Sequence, residues 1–138
     1  MTDNGRRQRL RFDDLHHHTT QDGRCRVEVR LEWCGVSYNG TEEGLETQQG
    51  RLRAATLAAL RAVAAAAGDQ LGLELAGVKA VRVFDGWVVV AAVRGTGQGK
   101  PLRLLGSAAC GDEEAIERSA ALAVLDATNR VVERLTPC

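Results

Sequence analysis

The chain has 138 residues with 18 basic and 18 acidic side chains, so its formal net charge is zero and its pI is near 6.8. This length argues for one domain that can bury a sizeable core without a disulfide or a metal. The neutral charge argues against a dedicated binder of nucleic acid or of an anionic membrane surface, because such proteins carry a basic excess. No apolar run approaches the roughly 20 residues that a membrane-spanning helix needs, so we expect no membrane association.

Cysteine usage bears on the cell compartment. The four cysteines, Cys25, Cys34, Cys110 and Cys138, form no C-x-x-C motif. Because a chain of this size needs no disulfide, we expect free thiols and a cytoplasmic location. Cys110 stands just before a predicted helix start, where a thiol can be activated, but we expect it to be buried and inert.

Residues 1–23 are polar and aperiodic, and they are predicted to be a flexible N-terminal arm in front of a single domain at residues 24–138. The arginines between residues 6 and 11 form a basic cluster through which the arm could contact a partner protein. The arm also contains three adjacent histidines, His16 to His18. On an extended segment their rings point in different directions, so we predict no metal site there.

Order is predicted to begin at Cys25. Residues 25–33 alternate apolar and charged side chains, which indicates a half-buried strand with one wet face. Cys34-Gly35 is predicted to be a tight turn before a short strand at residues 36–38. A loop then follows, and its three glutamates are predicted to be solvated rather than catalytic or cation-binding: Glu42, Glu43 and Glu46.

The middle of the chain predicts one helix and a hairpin. Residues 50–67 are helical by periodicity, with Gly68 as the C-cap. Residues 71–84 predict a strand with a bulge at Gly77, and Asp85-Gly86 is a two-residue hairpin signal.

The last third predicts two more strands and a second helix. Residues 87–94 are predicted to be a strand, and the unbroken apolar run at 87–93 indicates burial on both faces, one against helices and one against a second subunit. The glycine-rich residues 95–100 lack the spacing of a phosphate loop and are predicted to be a hairpin connection. A strand at 102–109 leads to a helix that begins at the N-cap Asp112 and ends near Arg130.

The predicted element order is β-β-α-β-β-β-α. It predicts an α+β domain of two layers, in which a mainly antiparallel sheet carries two helices packed on one face. The other face of this sheet would expose apolar side chains unless a partner covered it. Since a large exposed apolar patch marks an interface, we expect a homodimer.

Small residues follow these predicted elements in a recognisable order. They comprise G-S-x-x-C-x-D at residues 106–112, A-x-x-x-S-A at 115–120 and A-x-N at 127–129. With this pattern, about residues 25–135 resemble the C-terminal regulatory domain of 2-isopropylmalate synthases and citramalate synthases. The other positions that carry the resemblance are Glu43-Gly44, Gly50, Ala54-Ala55, Leu60 and Ala123.

The resemblance implies a non-catalytic dimeric module that senses a small metabolite, such as a branched amino acid, or serves as an assembly subunit. These 138 residues contain no catalytic barrel of the synthase type, so we expect no synthase reaction from them. Backbone N–H groups between the 44–50 loop and the start of the last helix suit an amino-acid carboxylate. The expected ligand-binding residues are Gly44, Thr47, Gly50, Gly106, Ser107 and Asp112.

Two alternatives from other classes stay open. Residues 51–135 follow the order α-β-β-β-α, which double-stranded-RNA-binding domains share, although the acidic run at residues 112–114 would repel phosphate. A small enzyme would have to use the loop carboxylates or Asp112 with Cys110. Because the expected domain contains no histidine to act as a general base, we expect no enzyme, no cofactor and no metal.

Overall fold

The computed structural model describes residues 9–97, 99–111 and 116–135. Two helices and two three-stranded antiparallel sheets make up this part of the chain, which confirms the predicted α+β class. The chain runs through the order β-β-β-α twice. The strands are β1 (Arg11–Thr19), β2 (Arg24–Trp33), β3 (Val36–Leu45), β4 (Leu71–Val83), β5 (Gly86–Gly97) and β6 (Lys100–Cys110), and the helices are α1 (Gln48–Ala67) and α2 (Ile116–Leu135).

Each sheet is a meander in which consecutive strands pair. The first sheet has the order β1-β2-β3 and the second has the order β4-β5-β6. The single sheet expected from the sequence is therefore wrong. The chain leaves the first sheet through α1 and then starts a new sheet with β4, and each sheet supports the helix that follows it.

The predicted flexible arm is wrong over Arg11–Thr19, because this segment forms β1 at the edge of the first sheet. A register shift between its second and fourth residues interrupts the strand alternation near the start of this segment. On the outer face of the sheet, ion pairs join β1 to β2. Arg30 Nε donates to Asp13 Oδ2 at 2.9 Å, and Arg11 Nη1 lies 3.8 Å from Glu32 Oε1. Residues 1–8 of the predicted arm lie outside the described residues.

The half-buried strand predicted at residues 25–33 is confirmed as β2. Val27, Val29 and Leu31 are fully buried beneath the helices, and the charged residues between them are exposed or half-buried. β3 is longer than the predicted strand at 36–38, since its polar residues up to Leu45 pair with the whole length of β2. The predicted loop at 41–49 is therefore mostly strand.

Close approach of strand and helix repeats in both halves of the fold. A methyl group added at Gly40 of β3 would overlap the backbone of α1, and one added at Gly106 of β6 would overlap the backbone of α2. The overlapped residues are alanines in both helices: Ala58 and Ala62 in α1, and Ala123 and Ala127 in α2. The alanine-rich helices and these glycines together let each helix lie directly on the third strand of its own unit.

The helix ends follow capping chemistry. α1 ends at Ala67 as predicted, and Gly68 caps it with φ 66° while its N–H donates to Ala65 O.

Inside the helices, the buried hydroxyl of Thr56 donates to Leu52 O, and that of Thr128 donates to Val124 O in the same way. The core therefore accommodates two threonines without leaving their hydroxyls unpaired.

The turns agree with the sequence in one hairpin and differ by one residue in the other. Cys34-Gly35 forms the predicted turn between β2 and β3. The turn between β4 and β5 is Phe84-Asp85 rather than Asp85-Gly86, because Gly86 already pairs with Val83. The predicted bulge of β4 is confirmed by a register shift just before Gly77.

The expectation of free thiols is confirmed for Cys25 and is wrong for Cys34. Cys34 is disulfide-bonded and lies exposed at a turn, whereas Cys25 and Cys110 are buried. Because persistent disulfides are rare in cytosolic proteins, the expected cytoplasmic location loses part of its basis. Among the described residues, neither helix combines the length and the apolar character that crossing a bilayer requires.

Candidate functional site

Three of the predicted ligand-binding residues, Gly44, Thr47 and Gly50, lie together where β3 ends and α1 begins. Thr47 is the N-cap of α1, and its side chain accepts a hydrogen bond from Gly50 N at 2.9 Å. A methyl group on Gly44 would lie 2.9 Å from Gly50 O, and one on Gly50 would overlap Leu45 O. The three residues thus pack the strand end against the helix start, and the protein itself fills the space between them.

The other predicted residues belong to the second β-β-β-α unit. Gly106 packs against α2, as described above, and Ser107 N donates to Asp126 Oδ2 at 3.0 Å. Asp112 lies outside the described residues. The predicted set is therefore divided between two units, and in each unit its described members have a packing or hydrogen-bonding role.

A different group of side chains converges at the end of the first sheet. We call it the Glu46 cluster, and it consists of His17, Thr19, Cys25, Glu46, Arg51 and Glu117. The Thr19 hydroxyl donates to Glu46 Oε1 at 2.6 Å. His17 Nε2 lies 2.9 Å and 3.1 Å from the two oxygens of Glu46, and Arg51 Nη1 donates to Oε2 at 3.2 Å.

Strand register brings these residues together. Thr19 lies opposite Cys25, and Cys25 lies opposite Gly44, so the three form one row on the helix-facing side of the first sheet. His17 is two residues before Thr19 and therefore faces the same side. Glu46 follows the end of β3, and its side chain reaches across to His17 and Thr19 of β1.

The hydrogen bonds favour the ionised form of Glu46. The bond from the Thr19 hydroxyl lowers the pKa of this carboxyl below its usual range, and Arg51 and His17 act in the same direction. An ionised carboxylate only accepts hydrogen bonds, so His17 Nε2 carries the proton and donates. The Glu46 side chain thereby links β1 to the start of α1.

Cys25 is the thiol of the cluster. Its side chain is fully buried, and its Sγ donates to Leu45 O at 3.6 Å. Burial raises the pKa of this thiol, and the negative charge of Glu46 adds to the effect. A buried thiol with a raised pKa is a poor nucleophile, so the geometry does not indicate cysteine catalysis.

Arg51 connects the cluster to α2. Its Nε lies 3.8 Å from Oε2 of Glu117, a residue in the first turn of that helix. This Nε is buried and has no hydrogen-bond partner within the part of the chain that the structure describes. The predicted proximity of the 44–50 loop and the start of the last helix is thus present. It is made by an arginine and two glutamates rather than by backbone N–H groups.

A surface cleft of about 600 Å³ adjoins the cluster. His17 and Glu117 form one side of it, and the guanidinium of Arg118 lies 5.2 Å from the centre of the Phe12 ring. Asp13, Asp14 and Leu15 complete the lining. The cleft therefore offers both carboxylates and a guanidinium next to an apolar ring.

Sequence reasoning missed this cluster because it placed His17 in a flexible arm and Glu46 in a solvated loop. The expectation that the folded domain contains no histidine was consequently wrong. One signal was available in the sequence: Leu15, His17 and Thr19 alternate with two further histidines, as in a strand with one inner face. The convergence on Glu46 depends on strand register, which that pattern alone does not give.

The outer faces of the two sheets have different chemistry. Val89, Ala91 and Val93 of β5 face the helices and are buried, so the residues between them face outward. On the outer face of the second sheet, Leu105 is 73% exposed. The other apolar residues of this face are Val81, Val83, Val88, Val90, Ala92 and Ala109. The outer face of the first sheet instead carries the ion pairs between β1 and β2.

Comparisons with known proteins add no family assignment. No protein-family model matches the chain, and no curated protein matches it significantly.

Proposed function

We propose that the chain is a non-catalytic homodimeric module, similar in role to the synthase regulatory domains that it resembles. The outer faces of the second sheets of two copies pack against each other in this dimer. The observation that carries the proposal is the apolar outer face of the second sheet, on which Leu105 is 73% exposed. Monomeric proteins seldom leave a contiguous apolar sheet face open to water.

The size and composition of this face favour a second copy as its occupant. β4 has 13 residues, so three strands of this length present a flat face of about 40 by 14 Å. Because side chains project from this face, its accessible area is larger than the flat area and approaches the roughly 800 Å² per partner of a standard interface. Glu74, Arg94 and Arg103 form a charged row at one end, where Arg94 Nη1 is 3.4 Å from Glu74 Oε1. Within the face, Lys79 and Ser107 flank Val90, and the other side chains are apolar or small. The apolar remainder is complementary to itself, as a two-fold interface requires.

Light scattering coupled to size exclusion tests the dimer. We expect twice the chain mass for the wild type and a single chain mass for Leu105→Glu, which places a charge at the most exposed apolar side chain of this face. Leu45→Glu is the matched control, because Leu45 is also an exposed leucine but lies on the outer face of the first sheet. A monomeric wild type at micromolar concentration would overturn the proposal.

Metabolite sensing is a second candidate, and the cleft beside the Glu46 cluster favours it. Arg118 can bind a carboxylate, and Asp13 and Asp14 can bind an ammonium group, so the lining suits a zwitterion such as an amino acid. Calorimetry with leucine, isoleucine and valine should give saturable heat that Arg118→Ala abolishes. Absence of heat with all three amino acids would reject this candidate and leave the assembly role.

The RNA-binding alternative is tested separately. The segment from α1 to α2 does have the order α-β-β-β-α, but Glu117 in the first turn of α2 places negative charge where phosphate would bind. Salt-dependent binding of duplex RNA in a gel-shift titration would favour this alternative over the dimeric module.

A further inference from the structure

We propose that His17, Cys25 and Glu46 bind a zinc ion at the end of the first sheet. Their candidate ligand atoms are His17 Nε2, Cys25 Sγ and a carboxylate oxygen of Glu46, and all of them lie within 4.8 Å of one another. Imidazole, thiolate and carboxylate are the three ligand types that zinc takes in proteins. Neither the dimer nor the amino-acid cleft requires this site.

The separations are close to those of a zinc site. Tetrahedral zinc, with bonds of about 2.0–2.3 Å, holds its ligand atoms about 3.3–3.7 Å apart. His17 Nε2 and Glu46 Oε1 are already 2.9 Å apart. Closing the site therefore requires these two atoms to separate by about 0.5 Å and the sulfur to approach them by up to about 1 Å, which is within the range of side-chain adjustment.

The three ligands come from elements that differ in freedom to move. His17 and Cys25 lie on paired strands, two residues out of register, so the sheet fixes their relative position. Glu46 lies just beyond β3, where a backbone bond from Glu46 N to Gly23 O at 2.9 Å anchors it. Two ligands are thus held by the sheet, and the third can adjust through its side chain.

The surrounding charges can accommodate the ion. Zinc binding releases the Cys25 thiol proton to solvent and requires the imidazole proton of His17 to move from Nε2 to Nδ1 by exchange with water. Arg51, displaced from Glu46, has Glu117 as an alternative partner at 3.8 Å. The Thr19 hydroxyl, now 2.6 Å from Oε1, would remain an outer partner that orients the carboxylate.

The ligand set selects the metal and leaves one position open. A thiolate ligand favours zinc over calcium or magnesium, which take oxygen ligands. Because His17 also lines the cleft, solvent reaches the site from that side. The fourth position of the ion would therefore be taken by water or by an anionic group of a molecule in the cleft.

Metal titration of the full chain tests the proposal. The protein is stripped with a chelator and titrated with Zn²⁺ by calorimetry and with Co²⁺ by absorption spectroscopy. We expect one ion per chain and a thiolate-to-cobalt charge-transfer band. Cys25→Ser should remove the band, and Cys25→Ser and His17→Ala should each weaken zinc binding by about 100-fold or more.

Matched variants separate this site from adventitious binding. His16→Ala and His18→Ala change the outward histidines of β1, and Cys110→Ser changes a buried thiol elsewhere, so all three should leave affinity unchanged. Loss of binding in the His16 or His18 variant, with Cys25→Ser unaffected, would overturn the proposal. If Cys25→Ser does not fold, the wild type decides: lack of the thiolate-to-cobalt band at saturating Co²⁺ rejects the site. The dimer test is run in chelator, so the two proposals can fail independently.

Discussion

Gly106 determines how closely β6 can approach α2, and it makes the packing of this pair testable. A methyl group there would overlap Ala123 O and Ala127 N, so Gly106→Ala has to push strand and helix apart. We expect the unfolding free energy to fall by about 3 kcal/mol, the upper range for overpacking. Gly77→Ala is the control, because nothing lies within 4 Å of its added methyl group. Equal denaturation midpoints for the two variants would contradict the close packing.

Glu46 predicts how stability responds to acid. Its pKa is lowered in the folded chain, first by the Thr19 hydroxyl and then by Arg51 and His17. A lowered folded pKa gives stability that is complete above the unfolded value of about 4.3 and is lost as the pH falls through the folded value. In chelator, the wild type should therefore lose stability below about pH 5 more steeply than Glu46→Gln.

The acid prediction has a neighbouring control. Glu43→Gln changes an exposed carboxylate of β3 that lies opposite Arg26 on the outer face of the first sheet. The unfolding free energy of this variant should fall with acid as that of the wild type does. Urea denaturation between pH 3 and pH 7 measures all three proteins. If the unfolding free energies of the wild type and Glu46→Gln fall in parallel as the pH is lowered, the hydrogen bonds to Glu46 do not contribute to folding.

At the scale of elements, the start of α1 depends on the Thr47 cap. The Thr47 side chain accepts from Gly50 N at 2.9 Å, so Thr47→Ala leaves that N–H without its partner. We expect a loss of about 1 kcal/mol in unfolding free energy, with Thr47→Ser close to the wild type. Thermal denaturation followed by circular dichroism measures the difference. Serine and alanine variants of equal stability would show that the cap is not formed in solution.

Strands and helices were predictable from the sequence where apolar side chains recur without interruption on one face. β2 and α1 satisfy this condition, since apolar side chains recur at the strand period in one and at the helix period in the other. β1 does not, because its bulge shifts the pattern and ion pairs cover its outer face. The Glu46 cluster was missed for a related reason. Its members are far apart in the chain, and only the pairing of β1 with β2 brings His17 near Cys25.

At the scale of the molecule, the fold is two β-β-β-α units with similar inner packing and different outer faces. Gly40 with α1 and Gly106 with α2 make the same close contact. The first sheet then shows ion pairs to solvent, whereas the second shows aliphatic side chains. Repetition of the unit thus explains the interior, and the difference between the outer faces identifies which sheet is available for association.

Association through that face predicts a concentration-dependent melting temperature. If folding is coupled to dimerisation, a tenfold rise in protein concentration adds about 1.4 kcal/mol per dimer. Two chains of 138 residues, at an unfolding entropy of about 2.1 cal/mol/K per residue, convert this into a rise of about 2 °C. Calorimetric scans of the wild type and of the Leu45→Glu control should show this rise. Leu105→Glu should melt at a temperature independent of concentration, because its charge keeps the apolar faces apart. A concentration-independent wild type would mean that the second sheet faces another partner or water.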